Sequence, residues 1–204
     1  MKEFTPESQY IKIPLVFLME NDTKGTKFID ILVYAIIDMY RCKDISNIGM
    51  RTMAQKYNIP LSKIEDAVKR LKDKGYITYA QHPSQKYDKY MYNEYHFPLH
   101  KKWKNVTLNL SPKILELPLK PKERGMLIYF QMISCDTGEM AQTKMEEIAK
   151  ELKITRQTVS KYINRFIADG YLEKLERGKY FFYKISFLVK QKKTEDKEPY
   201  EFTL

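Results

Sequence analysis

The sequence repeats itself at a spacing of 95 residues, and this repeat restricts the possible folds more than any other feature. MAQKYNIPLSKIEDAVKRLKDKGYI, residues 53–77, aligns without a gap on IAKELKITRQTVSKYINRFIADGYL, residues 148–172. The same spacing brings ILVYAII, from residue 31, onto MLIYFQM, and YIKIPL, from residue 10, onto NVTLNL. Because one register holds from residue 10 to residue 77, the sequence predicts two copies of one structural unit.

The spacing of apolar residues predicts the same series of elements in each copy. A short alternating strand precedes a mostly apolar, buried helix, which is predicted over about residues 27–41 and about residues 121–134. A short helix follows near residues 48–57 and near residues 143–152, and a third helix comes next. The third helices carry apolar trios at spacings that place each trio on one face: Ile64, Val68 and Leu71, and Val159, Ile163 and Phe166.

Glycines end both third helices, at Gly75 and Gly170, because a left-handed C-terminal residue is least costly for glycine. Two alternating segments then predict a β-hairpin, with HPSQKYD as the first loop and RG as the second turn. Helix, helix, turn, helix and hairpin is the order of a winged helix-turn-helix. The predicted fold is therefore α+β, with two tandem winged helix-turn-helix domains, residues 1–98 and 99–189, related by internal duplication and followed by a charged, flexible tail, residues 190–204.

The front of the second copy's third helix concentrates hydrogen-bonding side chains. In a helix-turn-helix this helix enters the major groove of DNA, where its N-terminal residues reach base edges. Arg156 can bridge guanine O6 and N7, and Gln157 can pair with adenine N6 and N7. Thr155 is better placed as the helix N-cap than as a base contact. The predicted DNA-binding residues here are Thr155, Arg156, Gln157, Thr158, Ser160 and Lys161, of which Thr158 and Ser160 can also hold phosphate.

The corresponding surface of the first copy has a different character. It reads Leu61, Ser62, Lys63, Glu65 and Asp66, and its two carboxylates oppose contact with phosphate. Ser62 and Glu65 match an S-x-x-E capping box, so they can serve the helix itself, while Lys63 can hold the DNA backbone. Arg70 and its repeat mate Arg165 can contact phosphate or simply solvate their helices. We therefore expect the second copy to read sequence and the first to add phosphate contacts or a protein interface, with Ser62 and Lys63 as its candidate DNA-binding residues.

The hairpin tips are the remaining candidate contacts. Arg177 and Lys179 flank a glycine at the second tip, where a wing touches phosphate or the minor groove. Lys86, in the first hairpin, is also predicted to contact DNA. It lies where lysines alternate with tyrosines, a pattern that can mark stacking on single-stranded nucleic acid but more often belongs to a strand with one buried face.

The charge favours a polyanionic partner. The net charge is +10 and the pI about 9.3, and the excess is +7 in residues 100–189 but only +3 in residues 1–99 and 0 in the tail. Double-stranded DNA is therefore the predicted partner. The chain is expected to act as a homodimer or as a pseudo-dimeric monomer.

Several function classes are disfavoured. No apolar run approaches the roughly 18 residues of a membrane span, and the N-terminus does not resemble a secretory signal, so a cytoplasmic protein with no membrane partner is expected. Cys42 and Cys135 fit reduced thiols. P-loop, GxSxG and HExxH motifs are missing, and the three histidines lack ligand spacing, so neither enzymatic activity nor a metal or other cofactor is expected.

The predicted series of helices and hairpin occurs twice, each time after a leading segment, YIKIPLVFL or NVTLNLSPKIL. In this the chain resembles tandem winged-helix DNA-binding proteins, in particular plasmid and phage replication initiators built from two such domains. The resemblance covers about residues 10–189. It implies binding to repeated origin sites and initiation of replication of a bacterial plasmid, phage or mobile element. The acidic first recognition helix departs from a scheme in which both domains read bases equally.

Other functions are compatible with the same residues. IAKELKITRQTVSKYINRFIADGYLEKL is similar to bacterial regulators of the multiple-antibiotic-resistance family, which implies a transcriptional repressor or regulator. An accessory protein of a conjugation relaxosome is a further alternative. A protein-interaction module that uses the winged-helix scaffold is the alternative from another functional class.

Overall fold

The structure is a computed structural model that describes residues 10–15, 17, 27–83, 91–98, 107–134, 139–141, 145–152 and 154–185. Lys86 and the predicted tail lie outside the described residues. The chain divides into two compact units, Met1–Met132 and Ile133–Leu204. None of the described helices has both the length and the apolar character that crossing a membrane requires.

Within the described ranges, the first unit combines short strands with four α-helices, which confirms the mixed α and β content. In chain order its elements are β1 (Ile11–Pro14), α1 (Phe28–Met39), β2 (Arg41–Cys42), β3 (Ile45–Asn47), α2 (Met50–Tyr57), α3 (Leu61–Asp73), β4 (Thr78–Pro83), β5 (Met91–His96), β6 (Thr107–Leu110), a 3₁₀ helix (Pro112–Glu116) and α4 (Pro121–Ile133), whose last residue belongs to the second unit.

Helix α1 forms the centre of the first unit. Its residues from Ile29 to Met39 are all buried, as expected for a helix that is apolar on nearly every side. Helices α2 and α3 and the β4–β5 hairpin follow it, in the order of a winged helix-turn-helix. The hairpin belongs to a four-stranded sheet of order β2-β3-β5-β4. Strands β2 and β3 were not predicted, because segments of two and three residues are too short to show an alternating pattern.

The apolar trio of α3 is buried as predicted, and Gly75 ends the helix region with a φ of 70°. The predicted capping box of Ser62 and Glu65 is wrong. The N-cap is Pro60, so Ser62 already lies inside the helix, and no side chain caps the first turn. Proline fixes a φ compatible with entry into a helix, which places the start two residues earlier than the serine signal.

Strands β1 and β6 pair antiparallel, although the sequence analysis placed them in separate domains. In their register Ile13 lies opposite Leu108, which is also its repeat mate at the spacing of 95 residues. The buried Asp38 carboxylate links β1 to α1, since it accepts hydrogen bonds from the backbone N–H of Lys12 at 2.6 Å and from Nε of Arg41 at 2.8 Å. Burial raises the pKa of Asp38 from its usual 3.8 to about 6, and the charge of Arg41 partly opposes this increase.

Helix α4 also packs within the first unit. The buried Arg124 guanidinium donates hydrogen bonds to the carbonyl oxygens of Leu115, at 2.5 Å, and of Tyr57, at the end of α2. A Cβ at Gly125 would lie 2.1 Å from the carbonyl oxygen of Phe28, so this close approach requires glycine. The compact units therefore separate about 34 residues after the boundary at residue 98 that the repeat suggests.

The second unit is smaller. Its described elements are β7 (Glu139–Ala141), α5 (Met145–Glu151), α6 (Arg156–Ala168), β8 (Leu172–Arg177) and β9 (Tyr180–Ile185). Helix α6 begins and ends 95 residues after α3. The strands form one sheet of order β7-β9-β8, and the short β7 was not predicted. The hairpin turn consists of Gly178 and Lys179, not of the predicted RG, because Arg177 still pairs with Tyr180.

Candidate nucleic-acid interface

Thr155 is the N-cap of α6, which confirms the capping role predicted for it. Its hydroxyl oxygen accepts a hydrogen bond from the backbone N–H of Thr158 at 3.2 Å and lies 2.9 Å from the Thr158 hydroxyl oxygen. The cap satisfies one backbone donor that the first turn would otherwise leave unpaired. Both threonine side chains thereby fix the start of α6 and hold the next residues in helical conformation.

One face of α6 is buried and the other is open to solvent. Val159, Ile163 and Phe166 have 1% or less of their surface exposed and anchor the inner face, as predicted. The helical period then turns the remaining polar positions outward. Of the six predicted DNA-binding residues at this front, four are exposed and two are half-buried: Thr155, Arg156, Gln157 and Lys161 in the first group, and Thr158 and Ser160 in the second.

Arg156 already has a partner in the unbound protein. Its Nη1 lies 3.0 Å from Oε1 of Glu146, which belongs to the first turn of α5. The side chains are 60% and 73% exposed, so water screens the pair and its contribution to stability is on the order of 1 kcal/mol or less. Arg156 can therefore release Glu146, or bind a second ligand while it keeps Glu146, with little loss of stability.

The second wing presents one paired and one open cation. Arg177 donates a hydrogen bond from Nη2 to Oε1 of Glu139 at 2.8 Å, and its guanidinium carbon lies 5.4 Å from the centre of the Phe182 ring. The Arg177 side chain thus lies across the face of the sheet toward β7. Lys179, in the turn itself, is exposed and has no ion-pair partner among the residues that the structure describes. Of the two predicted wing residues, Lys179 is the one free to meet a phosphate.

Tyr180 is a candidate contact that the sequence analysis missed. It follows the wing turn and is 63% exposed, whereas Tyr183 and Ile185 on the same strand are buried. Residues of a strand alternate between faces, so a strand that buries positions 183 and 185 must turn position 180 outward. The alternation was present in KYFFYKI, but four consecutive aromatic residues after the first lysine obscured it.

The corresponding surface of the first unit exposes Ser62, Lys63, Glu65 and Asp66. Arg70 is not part of it. Its guanidinium forms two-pronged hydrogen bonds with Asp30, from Nη2 at 2.6 Å and from Nε at 3.0 Å, and the Asp30 side chain is only 2% exposed. Arg70 therefore does not simply solvate its helix, and the phosphate contact left open for it stays a prediction.

Arg165, the repeat mate of Arg70, has a weaker attachment. Its Nε lies 3.4 Å from the carboxylate of Asp169, one turn further along α6, and both side chains are more than 40% exposed. Asp30 has no acidic counterpart at the matching position of α4, which is Gly125. The two arginines align in sequence but differ in environment, because the partner on the buried helix is missing from the second copy.

The histidines of the first wing lie beside one carboxylate. Nε2 of His96 is 2.8 Å from Oε1 of Glu94, and Nε2 of His82 is 3.8 Å from Oε2 of the same residue. Within the described ranges, no group of three or more His, Cys, Asp or Glu side chains is arranged to hold a metal ion. Cys42 is half-buried and is not part of a disulfide.

A model of the MarR family matches residues 137–179. The matched segment contains β7, α5, α6, β8 and the wing turn, and therefore every residue of the interface described above in the second unit except Tyr180. No curated protein matches the chain. The match identifies this segment as similar to a winged helix-turn-helix of a DNA-binding family. It lends no support to the replication-initiator interpretation and favours the alternative, regulation of transcription.

Proposed function

We propose that the protein is a sequence-specific binder of double-stranded DNA that regulates transcription. The observation that carries this proposal is the outward front of α6, where Arg156, Gln157 and Lys161 are exposed above a fully buried inner face. Guanidinium and amide groups match the donor and acceptor pattern of purines in the major groove. The same helix lies inside the segment that is similar to the MarR family.

In the proposed complex, contacts divide by role. Arg156 and Gln157 read base edges, while Ser160, Lys161 and the backbone around the Thr155 cap hold phosphate. Lys179 at the wing tip adds a phosphate or minor-groove contact beyond the helix. Arg177 remains a candidate for that contact only if DNA displaces Glu139. The first unit contributes at most general attraction through Lys63, because Glu65 and Asp66 repel phosphate from the same surface.

We further propose that the chain arose by internal duplication and acts as a pseudo-dimeric monomer. Two observations support this. Helix α6 begins and ends 95 residues after α3, which is the spacing of the sequence repeat, and Ile13 pairs with its own repeat mate Leu108. A strand pair centred on one residue and its mate is what a two-fold interface between identical chains gives. A homodimer is the alternative, and sedimentation of the free and DNA-bound protein distinguishes the two.

Initiation of plasmid or phage replication is the second candidate function. The doubled winged-helix order favours it, since a chain with two such units suits repeated sites. Footprinting separates the candidates. Protection upstream of a gene supports regulation of transcription, and protection confined to repeated origin sequences supports replication. Protection at a transfer origin indicates the relaxosome role.

Binding of random duplex DNA at increasing salt is the experiment that tests DNA binding itself. We expect the logarithm of the association constant to fall linearly with the logarithm of salt concentration, because each phosphate contact releases counterions. Protein with acetylated lysines is the matched control, since acetylation removes most of its positive charge. If the protein does not bind duplex DNA even at low salt, the result contradicts the proposed function and supports a protein-interaction module.

A further inference from the structure

We propose that Glu146 is a specificity-determining residue of the DNA site, because it orients the Arg156 guanidinium for a guanine. This inference rests on the proposed function and adds a residue to which the sequence analysis gave no ligand-related role. Glu146 itself does not touch the base. It acts through Arg156, and is therefore a positioning residue.

The geometry of the pair leaves the useful edge of Arg156 open. The hydrogen bond to Oε1 of Glu146 uses Nη1, at 3.0 Å. No other hydrogen bond of Arg156 is found among the described residues, so Nε and Nη2 remain available. These two donors form one fork of the planar guanidinium, and a fork of this kind matches O6 and N7 of guanine. Glu146 thus occupies the donor that a guanine does not need.

The pair also joins the two helices of the helix-turn-helix. Glu146 belongs to the first turn of α5, and Arg156 is the first residue of α6. The Thr155 cap fixes the backbone at the start of α6, but the arginine side chain has several rotatable bonds of its own. An ion pair to the neighbouring helix restricts those bonds before DNA arrives, so less freedom is lost when the base contact forms.

The helix dipole does not by itself account for Glu146. Acidic side chains are favourable in the first turn of a helix, and both Glu146 and Glu147 lie there. Both are exposed, but of the two it is Glu146 that forms a hydrogen bond with Arg156. Glu147 therefore supplies a matched control with the same charge, helix and turn.

Two opposing effects of removing Glu146 can be separated. Loss of a carboxylate beside DNA weakens repulsion of phosphate, and this raises affinity for every sequence alike. Loss of the orienting contact weakens only the complex in which Arg156 meets its base. The ratio of affinities for preferred and random duplex cancels the first effect and reports the second.

The experiment measures this ratio for the full-length protein. The preferred probe is the duplex that the wild-type protein enriches from a random pool, and the reference is a random duplex of equal length. We expect Glu146→Ala to lower the ratio about 2- to 5-fold, the range that an exposed ion pair can supply. Glu146→Gln, which keeps the side-chain length, should lie between Glu146→Ala and wild type. Glu147→Ala should leave the ratio unchanged.

A double-mutant cycle tests whether Glu146 acts through Arg156. In an Arg156→Ala background we expect Glu146→Ala to change the ratio by less than about 1.5-fold, because the residue to be oriented is gone. An unchanged ratio in Glu146→Ala, or an equal fall in Glu147→Ala, overturns the inference while DNA binding stands. A wild-type protein that enriches no duplex overturns the proposed function and the inference with it.

Discussion

Arg70 and Arg41 of the first unit and Arg156 of the second unit form ion pairs in opposite environments. In the first unit, Arg70 pairs with Asp30, whose side chain is 2% exposed, and Arg41 pairs with the fully buried Asp38. In the second unit, Arg156 and its partner Glu146 are both mostly exposed to solvent. Arginine thus pairs with buried carboxylates in the first unit, whereas Arg156 in the second unit pairs with an exposed one.

The difference indicates how the two units can differ in role. A buried carboxylate must be neutralised, so an arginine near it is committed to the scaffold. An exposed pair is weak, and its arginine stays available to a ligand. The first copy carries Asp30 where the second has Gly125, so Arg70 pairs with a buried carboxylate, whereas its repeat mate Arg165 pairs with the exposed Asp169. We therefore assign recognition to the second unit and structural support to the first.

The largest effect expected from this comparison is on stability. Arg70→Ala should lower the free energy of unfolding of the first unit by about 2 to 4 kcal/mol, because it leaves the Asp30 carboxylate buried without its cation. The repeat-mate variant Arg165→Ala should cost at most about 0.5 kcal/mol. Hydrogen exchange of backbone amides in α3 and α6 measures each helix separately. Similar losses in both variants contradict the comparison.

The pH dependence of the first unit should come next in size. The pKa of Asp38 is raised by burial to about 6, so the folded state binds this proton more tightly than the unfolded state. The contribution of Asp38 to stability is therefore greatest below about pH 4 and is lost as the pH rises to about 6. We expect the stability difference between wild type and Asp38→Asn to change by about 2 to 3 kcal/mol across this range.

Amide exchange in α1 at several pH values measures this change. Exchange in α6 serves as the internal control, since the ion pairs of its Arg156 and Arg165 are exposed. A difference that stays constant between pH 4 and pH 6 shows that the Asp38 proton is not linked to folding.

The smallest effects concern one lysine in each unit, Lys63 in the first and Lys179 in the second. Lys179→Ala should weaken binding to all duplexes alike and reduce the salt dependence by about one unit or less, because one phosphate contact is lost. Lys63→Ala should have a smaller effect, since nearby carboxylates already oppose phosphate there. Salt titrations of both variants with random duplex measure the difference. A larger loss from Lys63→Ala would assign the main DNA contact to the first unit.

The helices could be predicted from sequence because their signals are local. The spans proposed for the buried helices, residues 27–41 and 121–134, differ from α1 and α4 by at most two residues at either end. The predictions of the buried apolar trios and of the terminal glycines were also correct. The trios follow from the helical period, and the glycines follow from the positive φ that ends each helix. The repeat strengthened these predictions by supplying every signal twice.

Non-local contacts could not be predicted in this way. Arg70 meets a partner 40 residues earlier in the chain, and β1 meets a strand almost one hundred residues away. Periodicity identifies a buried face but does not identify what covers it. The pairing of Glu146 with Arg156 was also missed, because an acidic residue in the first turn of a helix already has a local explanation, the helix dipole. The DNA contacts themselves remain predictions.

The sequence preference of four variants tests most directly the claim that α6 reads DNA and α3 does not. Each variant, and the wild type, is used to enrich duplexes from the same random pool. We expect Arg156→Ala and Gln157→Ala each to lose preference at one or two base pairs, corresponding to about 1 to 3 kcal/mol of discrimination per contact. Ser62→Ala and Lys63→Ala should retain the wild-type preference. Unchanged preference in both α6 variants, or lost preference in the α3 variants, contradicts the assignment.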